Sequence, residues 1–279
     1  MHPISLIPSS IGRIALSILA QTQEARVWGT TSRGLFLHLP PGWIVFLSAE
    51  PFRGPLTLNL CGRERPFEFP PARRAVSPGM QAKLNSESLL FEELAVIIRL
   101  DAEAKWSPPP LPDAPAEQFE RRFQRLEQLS VISHQLPSTS FPLSATSYQL
   151  SATIYHLINN LGLGEGLTPA GDDVALGFLL AANRWRELLC PNLDLQPTNR
   201  AIQQAANAKT STLSANLIDC AIQGQADERL ILALDGIITG QPTLEECLSY
   251  LTGWGSSSGA WALQGMALAI KTFNQQVNP

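Results

Sequence analysis

Short hydrophobic runs with strand-like alternation dominate the first third of the chain. Up to about residue 106, Gly or Pro bounds each of these runs. They are RVWGTTSRGLFLHLP, GWIVFLS, GPLTLNL, GMQAKL and ELAVIIRL. Alternation with a period of two is typical of strands that bury one face. The pattern predicts a β-rich domain over residues 1–106, built as a small barrel or a sandwich.

Farther along the chain, apolar residues recur with the period of a helix. In LSATIYHLINNL, one face would carry Leu150, Ile154, Leu157, Ile158 and Leu161. The same pattern predicts helices in AEQFERRFQRLEQLSVIS, DDVALGFLLAANRWRELL, TNRAIQQAANA with its continuation SANLIDCAIQ, ADERLILALDGIIT, TLEECLSYLT and SGAWALQGMALAIKTF. The DDVALG and SGAWAL segments are apolar or small nearly all round, which is typical of central helices. We predict an α+β protein with a mainly helical domain over residues 118–279.

A proline-rich segment separates the two patterns. Residues 107–117, SPPPLPDAPAE, contain five prolines. Proline fixes φ and lacks the backbone N–H donor, so neither a helix nor a central strand continues through this segment. We therefore predict an interdomain linker at residues 107–117.

Charge and hydropathy narrow the classes of partner. The chain has 20 basic and 24 acidic side chains and a net charge of -4, which gives no broad positive surface for nucleic acid or an anionic membrane. No hydrophobic run is long enough to span a bilayer. Near the N-terminus, IGRIALSILAQTQEA is typical of an amphipathic helix rather than a signal peptide. We expect a cytoplasmic protein that binds neither nucleic acid nor a membrane.

Cysteine and histidine spacing provides no metal motif and no disulfide framework. No C-x-x-C pair occurs among Cys61, Cys190, Cys220 and Cys247, so they are interpreted as reduced structural thiols. Metal-ligand spacing is likewise absent among His2, His38, His134 and His156. No metal site is predicted, and the sequence leaves any cofactor unknown.

GLGEGLTPAGDD, residues 162–173, joins two predicted helices and is rich in residues that end or begin helices. Gly162 stands where a left-handed residue would end the preceding helix. Thr168 and Pro169 are typical of an N-cap followed by proline at the first helical position. On this interpretation the segment is a well-capped turn.

Capping leaves several residues of this segment without a structural reason. Helix capping requires one glycine and one hydroxyl. It gives no reason for Gly164, Gly166, Gly171 and one of the two carboxylates. Glycine lets backbone N–H groups approach a ligand, and the free N–H groups of a helix start bind anions. Adjacent helical residues point about 100° apart, so one of Asp172 and Asp173 could face a ligand while the other orients donors. The second interpretation is a ligand site with these two aspartates as its catalytic candidates.

AKTSTLSANL forms a second polar cluster, which the pattern places at a helix start. It could be an exposed N-cap with solvated hydroxyls. It could instead be a set of donors with one cation, suited to a carboxylate or phosphoryl group. The candidate ligand-binding residues here are Lys209, Thr210 and Ser214, together with Thr168 of the first segment.

GWGSSSGAWALQG, residues 253–265, matches G-x-S-x-G around Ser257 only formally. A nucleophile elbow requires a preceding strand and a later histidine, whereas a helix is predicted before this segment and no histidine follows it. We exclude a hydrolase. The segment is a Gly/Ser-rich helix start that could present N–H groups and hydroxyls, with Ser257, Ser258 and Gly259 as candidate ligand-binding residues.

Three segments together carry a family resemblance. GLGEGLTPAGDDVALG, KTSTLSANLIDCAIQG and WGSSSGAWALQG resemble a bacterial family of domains of unknown function that includes the AllH-type subunit of oxamate carbamoyltransferase. The resemblance covers about residues 160–265. In that family the first segment commonly has serine where this chain has Ala170. The last segment commonly carries a histidine and an aspartate near the positions of Ser256 and Trp261.

The resemblance implies a subunit of a multi-subunit carbamoyl-transfer system in nitrogen metabolism, with other protein subunits as partners. Its ligand would be a small anionic metabolite, such as carbamoyl phosphate or an oxamate-like carboxylate. The alternative is a noncatalytic scaffold or interaction subunit, in which the glycine-rich segments serve helix packing and partner binding. If the segments form one site, residues 162–173, 209–216 and 255–259 should converge on one cleft.

Overall fold

The computed structural model describes residues 4–60, 76–114, 119–129 and 149–277. The chain divides into two compact units, Met1–Pro108 and Pro109–Pro279. Some predictions fall outside the described residues: linker positions 115–117, both ends of the helix predicted at 116–133, the Cys61 thiol, His2 and His134.

The first unit contains a mixed sheet that forms a half-barrel. Its strands are β1 (Ile4–Leu6), β2 (Ser10–Gly12), β3 (Glu24–Thr31), β4 (Gly34–Leu39), β5 (Trp43–Ser48), β6 (Thr57–Asn59), β7 (Gln81–Leu84), β8 (Ser88–Phe91), β9 (Val96–Arg99) and β10 (Lys105–Trp106). The order across the sheet is β1-β9-β8-β7-β3-β4-β5-β6-β2-β10. This confirms the β-rich first part of the predicted α+β fold.

The sheet combines local hairpins with distant pairings. Strands β3, β4 and β5 form an antiparallel meander. Strands β1 and β9, β2 and β10, and β5 and β6 pair in parallel. The strands that the hydrophobic pattern did not predict are β1, β2, β8 and β10, which have two to four residues each. Such strands are too short to display a period.

One face of the sheet packs against helix α1 (Arg13–Leu19). Every second residue of β4 is buried, beginning with Leu35. These side chains share one hydrophobic core with Ala15 and Leu19 of α1. The helix predicted near the N-terminus therefore forms, and its buried side chains contribute to the hydrophobic core of the half-barrel.

The second unit is mainly helical, as the pattern predicted. Its helices are α2 (Phe119–Leu129), α3 (Leu150–Asn160), α4 (Ala170–Arg184), α5 (Arg186–Leu189), α6 (Gln196–Lys209), α7 (Thr212–Ile222), α8 (Glu228–Thr239), α9 (Leu244–Gly253) and α10 (Ser258–Val277). Across the ranges that the structure describes, no helix combines the length and hydrophobicity that a bilayer crossing requires.

Helices α4 and α10 pack closely at the centre of this unit. Nearly every residue of α4 is buried. A Cβ added to Gly177 would lie 2.0 Å from the carbonyl oxygen of Ala262, and one added to Gly265 would lie 2.0 Å from that of Val174. The two glycines therefore let the helix backbones meet, and the prediction that these helices are central is confirmed.

A buried ion pair joins the C-terminal end of α4 to α8. The Arg184 guanidinium donates from Nε and Nη2 to the Asp235 carboxylate at 2.8 and 2.6 Å. The Trp185 indole N–H donates to the same carboxylate at 3.0 Å. Because both charges are paired and hydrogen-bonded, their burial is compensated. The pair anchors one end of α4, whose other end carries the candidate aspartates.

The thiols of Cys190, Cys220 and Cys247 are free and buried. Burial raises the pKa of Cys190 and Cys247 to about 11. A thiol with a raised pKa is a poor nucleophile because little thiolate forms. The interpretation of these three residues as structural thiols is confirmed.

Candidate functional site

Three distant segments meet around the start of α4. They are the connection from α3 to α4, the junction of α6 and α7, and the start of α10. Thr210 at the second junction donates to Asp172. Thr168 in the first segment lies 3.2 Å from Ser258 of α10, measured between the hydroxyl oxygens. The three segments singled out in the sequence therefore lie together.

The α3–α4 connection depends on three glycines with positive φ. Gly162, Gly164 and Gly166 have φ values of 78°, 123° and 102°, a region that disfavours residues with a side chain. A Cβ on Gly162 would lie 2.4 Å from the Lys209 carbonyl oxygen, and one on Gly164 would lie 2.6 Å from the Ala170 nitrogen. A Cβ on Gly166 would have space, because the nearest described atom to it would be the Thr168 carbonyl oxygen at 3.8 Å.

The predicted role of Thr168 as a helix cap is wrong. Helix α4 begins one residue later than expected, with Pro169 as its N-cap and no side-chain capping bond. The Pro169 carbonyl accepts from the N–H groups of Asp172 and Asp173. Because the backbone provides the cap, the Thr168 hydroxyl instead donates to Asp173 Oδ2 at 3.3 Å.

Asp172 is buried and held by the protein. Its Oδ1 accepts from the Gly162 N–H at 2.8 Å, and its Oδ2 accepts from the Thr210 hydroxyl. Both carboxylate oxygens therefore have donors, one from each of two segments. Asp172 therefore links the α3–α4 connection and the α6–α7 junction to the first turn of α4 by hydrogen bonds.

Asp173 is equally buried, but the protein satisfies it only in part. Both aspartates are 2% exposed, yet Asp173 Oδ1 has no hydrogen-bond partner within the described residues. Burial raises the pKa of Asp173 well above its usual value. Hydrogen bonds from Ser258 and Thr168 lower this pKa, and the negative charge of Asp172 raises it. The net effect favours the neutral acid.

The second polar cluster is the junction of two helices rather than a single helix start. Lys209 is the last residue of α6, and Ser211 caps α7 by accepting from the Ser214 N–H. The exposed Lys209 side chain donates from Nζ to the Ile158 carbonyl at 2.9 Å, where it satisfies the end of α3. Ser214 is buried, and its hydroxyl oxygen accepts from the Ser211 hydroxyl at 3.2 Å.

The third segment is a helix start, as predicted, and a helix precedes it. Ser257 lies directly before α10 and its carbonyl accepts from two N–H groups of the first turn. A Cβ on Gly259 would lie 1.8 Å from the Leu251 carbonyl oxygen, so this glycine permits close packing of α9 and α10. Ser258 is the member of this segment that reaches the Asp173 carboxyl, and its hydroxyl also contacts Thr168.

Gly171 and Gly259 do not offer their backbone N–H groups to a ligand. The Gly171 N–H donates to the Leu163 carbonyl at 3.0 Å, and the Gly259 N–H donates to the Trp254 carbonyl at 3.0 Å. A Cβ on Gly171 would lie 1.9 Å from the Asn160 carbonyl oxygen. Helix packing accounts for both glycines, contrary to the expectation that they present N–H groups.

Ser211 was missed as a site residue, although it belongs to the predicted hydroxyl cluster. Besides capping α7, its hydroxyl donates to the Leu167 carbonyl at 3.4 Å. It thereby ties the α6–α7 junction to the glycine connection. Its position between Thr210 and Ser214, two residues predicted to bind the ligand, could have indicated that it belongs to the site.

Among the described residues, the centre of the site is acidic and has no basic side chain paired with it. In residues 149–277 and the other described ranges, no ion pair links Asp172 or Asp173 to a basic side chain. The described residues contain no cluster of three or more His, Cys, Asp or Glu side chains that could hold a metal ion. The arrangement can therefore hydrogen-bond a small polar group through hydroxyls and a buried carboxyl.

The comparison with family models agrees with the resemblance found in the motifs. Residues 160–270 match the model of the family described as oxamate carbamoyltransferase subunit AllH. This range contains all three segments of the site. No curated protein matches the chain, and no solved structure matches it.

Proposed function

We propose, from the similarity of residues 160–270 to oxamate carbamoyltransferase subunit AllH, that this chain is a subunit of a carbamoyltransferase-like enzyme. Its helical unit binds a small metabolite with a carboxylate or phosphoryl group and a carbonyl group, such as oxamate or carbamoyl phosphate. Other protein subunits complete the enzyme. The observation that carries the proposal is Asp173, a buried carboxyl that the first and third segments contact and whose Oδ1 has no hydrogen-bond partner among the described residues.

The unpaired oxygen supports a ligand site because buried polar atoms are normally hydrogen-bonded. Leaving such an atom without a partner costs about 1–3 kcal/mol. A capped turn does not require this cost, since Asp172 already joins the first two segments and the Thr168 and Ser258 hydroxyls join the first and third. A ligand that bonds Asp173 Oδ1 would recover it.

The neighbouring hydroxyls and Lys209 complete the proposed site. Thr168 and Ser258 contact the Asp173 carboxyl and are only partly buried, so they orient the ligand next to it. Lys209 has N–H donors beyond the one given to Ile158, and it pairs with the charged end of the ligand. Carbamoyl transfer requires mainly positioning and stabilisation of negative charge that develops on the carbonyl oxygen.

A scaffold function has its own support in the glycines. Gly171, Gly177, Gly259 and Gly265 each allow a close backbone approach between helices. These residues are explained without any ligand. A scaffold subunit would bind its partner proteins but no small metabolite.

Ligand-dependent melting separates the two functions. A ligand that binds the native state raises stability by about 2.7 kcal/mol at a concentration of 100 times Kd. We expect oxamate or carbamoyl phosphate to raise the melting temperature in a concentration-dependent way, and Lys209→Met to weaken the affinity by about tenfold or more. Partner subunits should co-purify with the chain. Co-purification without any ligand-induced shift would instead support the scaffold.

A further inference from the structure

We propose that this chain associates with a second copy of itself, with a proline segment of one copy seated on an aromatic face of the other. The aromatic face is the side of the β3–β4–β5 meander that carries Trp28, Phe36 and Phe46. The proline segment is residues 109–113, PPLPD. None of these residues belongs to the candidate site, so self-association and the proposed function can fail independently.

Three aromatic side chains form a row across the outer side of the meander. Leu35 and Leu37 of β4 belong to the core, so Phe36 between them points to the opposite side. Its ring centroid lies 4.5 Å from that of Phe46 and 6.0 Å from that of Trp28. Trp28 is 42% exposed. Because aromatic pairs across strands also stabilise a sheet, the row by itself does not indicate a binding partner.

The open position at Gly29, beside the row, does indicate one. Gly29 pairs with Phe36, so a side chain there would stand next to Phe36 on the outer side. A Cβ built on Gly29 would have no atom of the described residues within 4 Å. A β-bulge precedes Gly29, but Gly29 lacks the positive φ for which bulges use glycine. Since neither crowding nor strain requires it, this glycine keeps a space open where another chain can approach.

The aromatic face also has a donor and a cation that the chain itself does not use. Within the described ranges, the Trp28 indole N–H has no hydrogen bond and the Arg26 guanidinium has no ion pair. Arg26 pairs with His38 across the strands and therefore lies on the same side as Phe36. Basic side chains nearby already form ion pairs, namely Arg33 with Glu50 and Lys83 with Glu92. The face thus suits a partner with a single carboxylate rather than a row of phosphates.

The proline segment carries the complementary groups. Residues 109–113 are exposed and form neither helix nor strand. The Arg184 guanidinium holds the start of the segment, because its Nη2 donates to the Pro109 carbonyl at 3.3 Å. Proline has a carbonyl acceptor but no N–H, and its fixed φ favours the polyproline II conformation. Leu111 is 48% exposed, and Asp113 provides the carboxylate at the end of the segment.

The two surfaces match in shape, polarity and charge. Polyproline segments dock on surfaces lined by aromatic side chains, and the space over Gly29 admits one beside Trp28. A proline carbonyl then accepts from the Trp28 indole N–H. With a rise of about 3.1 Å per residue, Asp113 lies about 9 Å from Pro110, and Arg26 lies about 7 Å along β3 from Trp28. The long guanidinium spans the difference and pairs with Asp113.

Sedimentation of the full chain over a range of protein concentrations measures the association. We expect an average mass that rises with concentration above that of the monomer. Gly29→Val fills the open position with a residue that suits a strand and should weaken association by at least about tenfold. Gly42→Val is the matched control, because a Cβ there also has no described atom within 4 Å, and association should be unchanged. The melting temperature of each variant reports whether the fold is intact.

A mixing experiment tests the pairing of two different surfaces. The double variant Pro110→Ser with Pro112→Ser has an intact aromatic face and an altered segment, whereas Gly29→Val has the reverse. Each variant alone should remain monomeric. Because contacts between unlike surfaces join head to tail, an equal mixture should form a dimer through the one intact face and the one intact segment.

A charge exchange provides a second test, which decides the matter if Gly29→Val does not fold. Arg26→Glu and Asp113→Lys should each weaken association, and the two together should restore it within about threefold of the original. A chain that is monomeric at every concentration would overturn the inference. So would association that survives both Gly29→Val and the proline double variant, or a mixture that stays monomeric. A single-stranded oligonucleotide that binds the face in the absence of self-association would also overturn it.

Discussion

Adjacent aspartates at the start of α4 have different environments although they are one residue apart. Asp172 receives donors at both carboxylate oxygens, from Gly162 and Thr210. Asp173 receives the Thr168 hydroxyl at Oδ2 and nothing at Oδ1 within the described residues. The protein therefore provides hydrogen-bond donors to both oxygens of Asp172, while Oδ1 of Asp173 has no partner among the described residues.

The raised pKa of Asp173 makes stability depend on pH. Because the folded-state pKa lies above the usual 3.8, the folded chain keeps a proton that the unfolded chain has lost. Stability then falls as the pH rises from about 3.8 through the raised pKa. Asp173→Asn cannot ionise and lacks this loss. The melting temperature of the variant minus that of the original chain should rise as the pH increases from about 3.8 through the raised pKa.

This difference in melting temperature, measured across pH, also tests whether the raised pKa belongs to Asp173. Titrating groups that do not interact with Asp173 are common to both proteins, so they cancel in the difference and leave the contribution of Asp173 and its coupling to Asp172. A difference that stays constant with pH would mean that Asp173 has the same pKa folded and unfolded.

Asp172 should matter for stability rather than for ligand recognition. Asp172→Asn places an amide nitrogen against one of two donors, Gly162 N–H or the Thr210 hydroxyl. We expect the free energy of unfolding in urea to fall by about 1–3 kcal/mol. Thr210→Val removes one of these bonds and serves as the comparison. An unchanged free energy for Asp172→Asn would show that its hydrogen bonds do not hold the segments together.

At the scale of helices, glycine has two distinct structural roles. In the α3–α4 connection, Gly162, Gly164 and Gly166 adopt positive φ. In the central pair, Gly177 and Gly265 have helical neighbours where a Cβ would stand. The first group shapes the connection that carries Thr168, and the second group brings α4 against α10.

Gly265→Ala should push the central helices apart. Its Cβ would lie 2.0 Å from the Val174 carbonyl oxygen and 2.7 Å from the Phe178 nitrogen, and both are backbone atoms. We expect a loss of about 1–3 kcal/mol or more in the free energy of unfolding. Gly253→Ala is the control, since its nearest neighbour would be Arg229 Cδ at 3.9 Å. Its effect should stay within about 0.5 kcal/mol, and equal effects would contradict the packing role.

The hydrophobic pattern predicted the elements better than their ends. Helices α4 and α10 were recognisable because apolar and small residues cover them nearly all round. The start of α4 was misplaced by one residue, since Thr168-Pro169 matches the usual capping pattern while its hydroxyl bonds Asp173 instead. The role of Lys209 was obscured similarly, because its partner Ile158 lies 51 residues away. A local sequence pattern gives no information on contacts between residues so far apart in the chain.

At the scale of the whole chain, the sequence predicted two kinds of structure and left the topology open. The half-barrel in residues 1–108 joins strands that are far apart in sequence, such as β1 with β9. No alternation within a strand specifies its partner. The meeting of the three segments of the candidate site was foreseen from their shared composition, while the roles of their residues stay predictions.

The division into domains at the proline-rich linker, residues 107–117, also stays a prediction. If it is right, residues 107–279 should fold when expressed alone, because α4 and α10 provide this part with its own core. We expect a single cooperative urea transition, measured by circular dichroism. A fragment that lacks helical signal or unfolds without cooperativity would show that the division is wrong.

Amide hydrogen exchange with and without oxamate tests the central claim most directly, because it locates the ligand without any substitution. Binding at Asp173 should slow exchange together in the α3–α4 connection, the α6–α7 junction and the first turn of α10. We expect protection in peptides covering residues 162–173, 209–216 and 255–261, and little change in the half-barrel strands. Saturating oxamate that leaves all three segments unprotected, or protects only one of them, would contradict a single site built from their convergence.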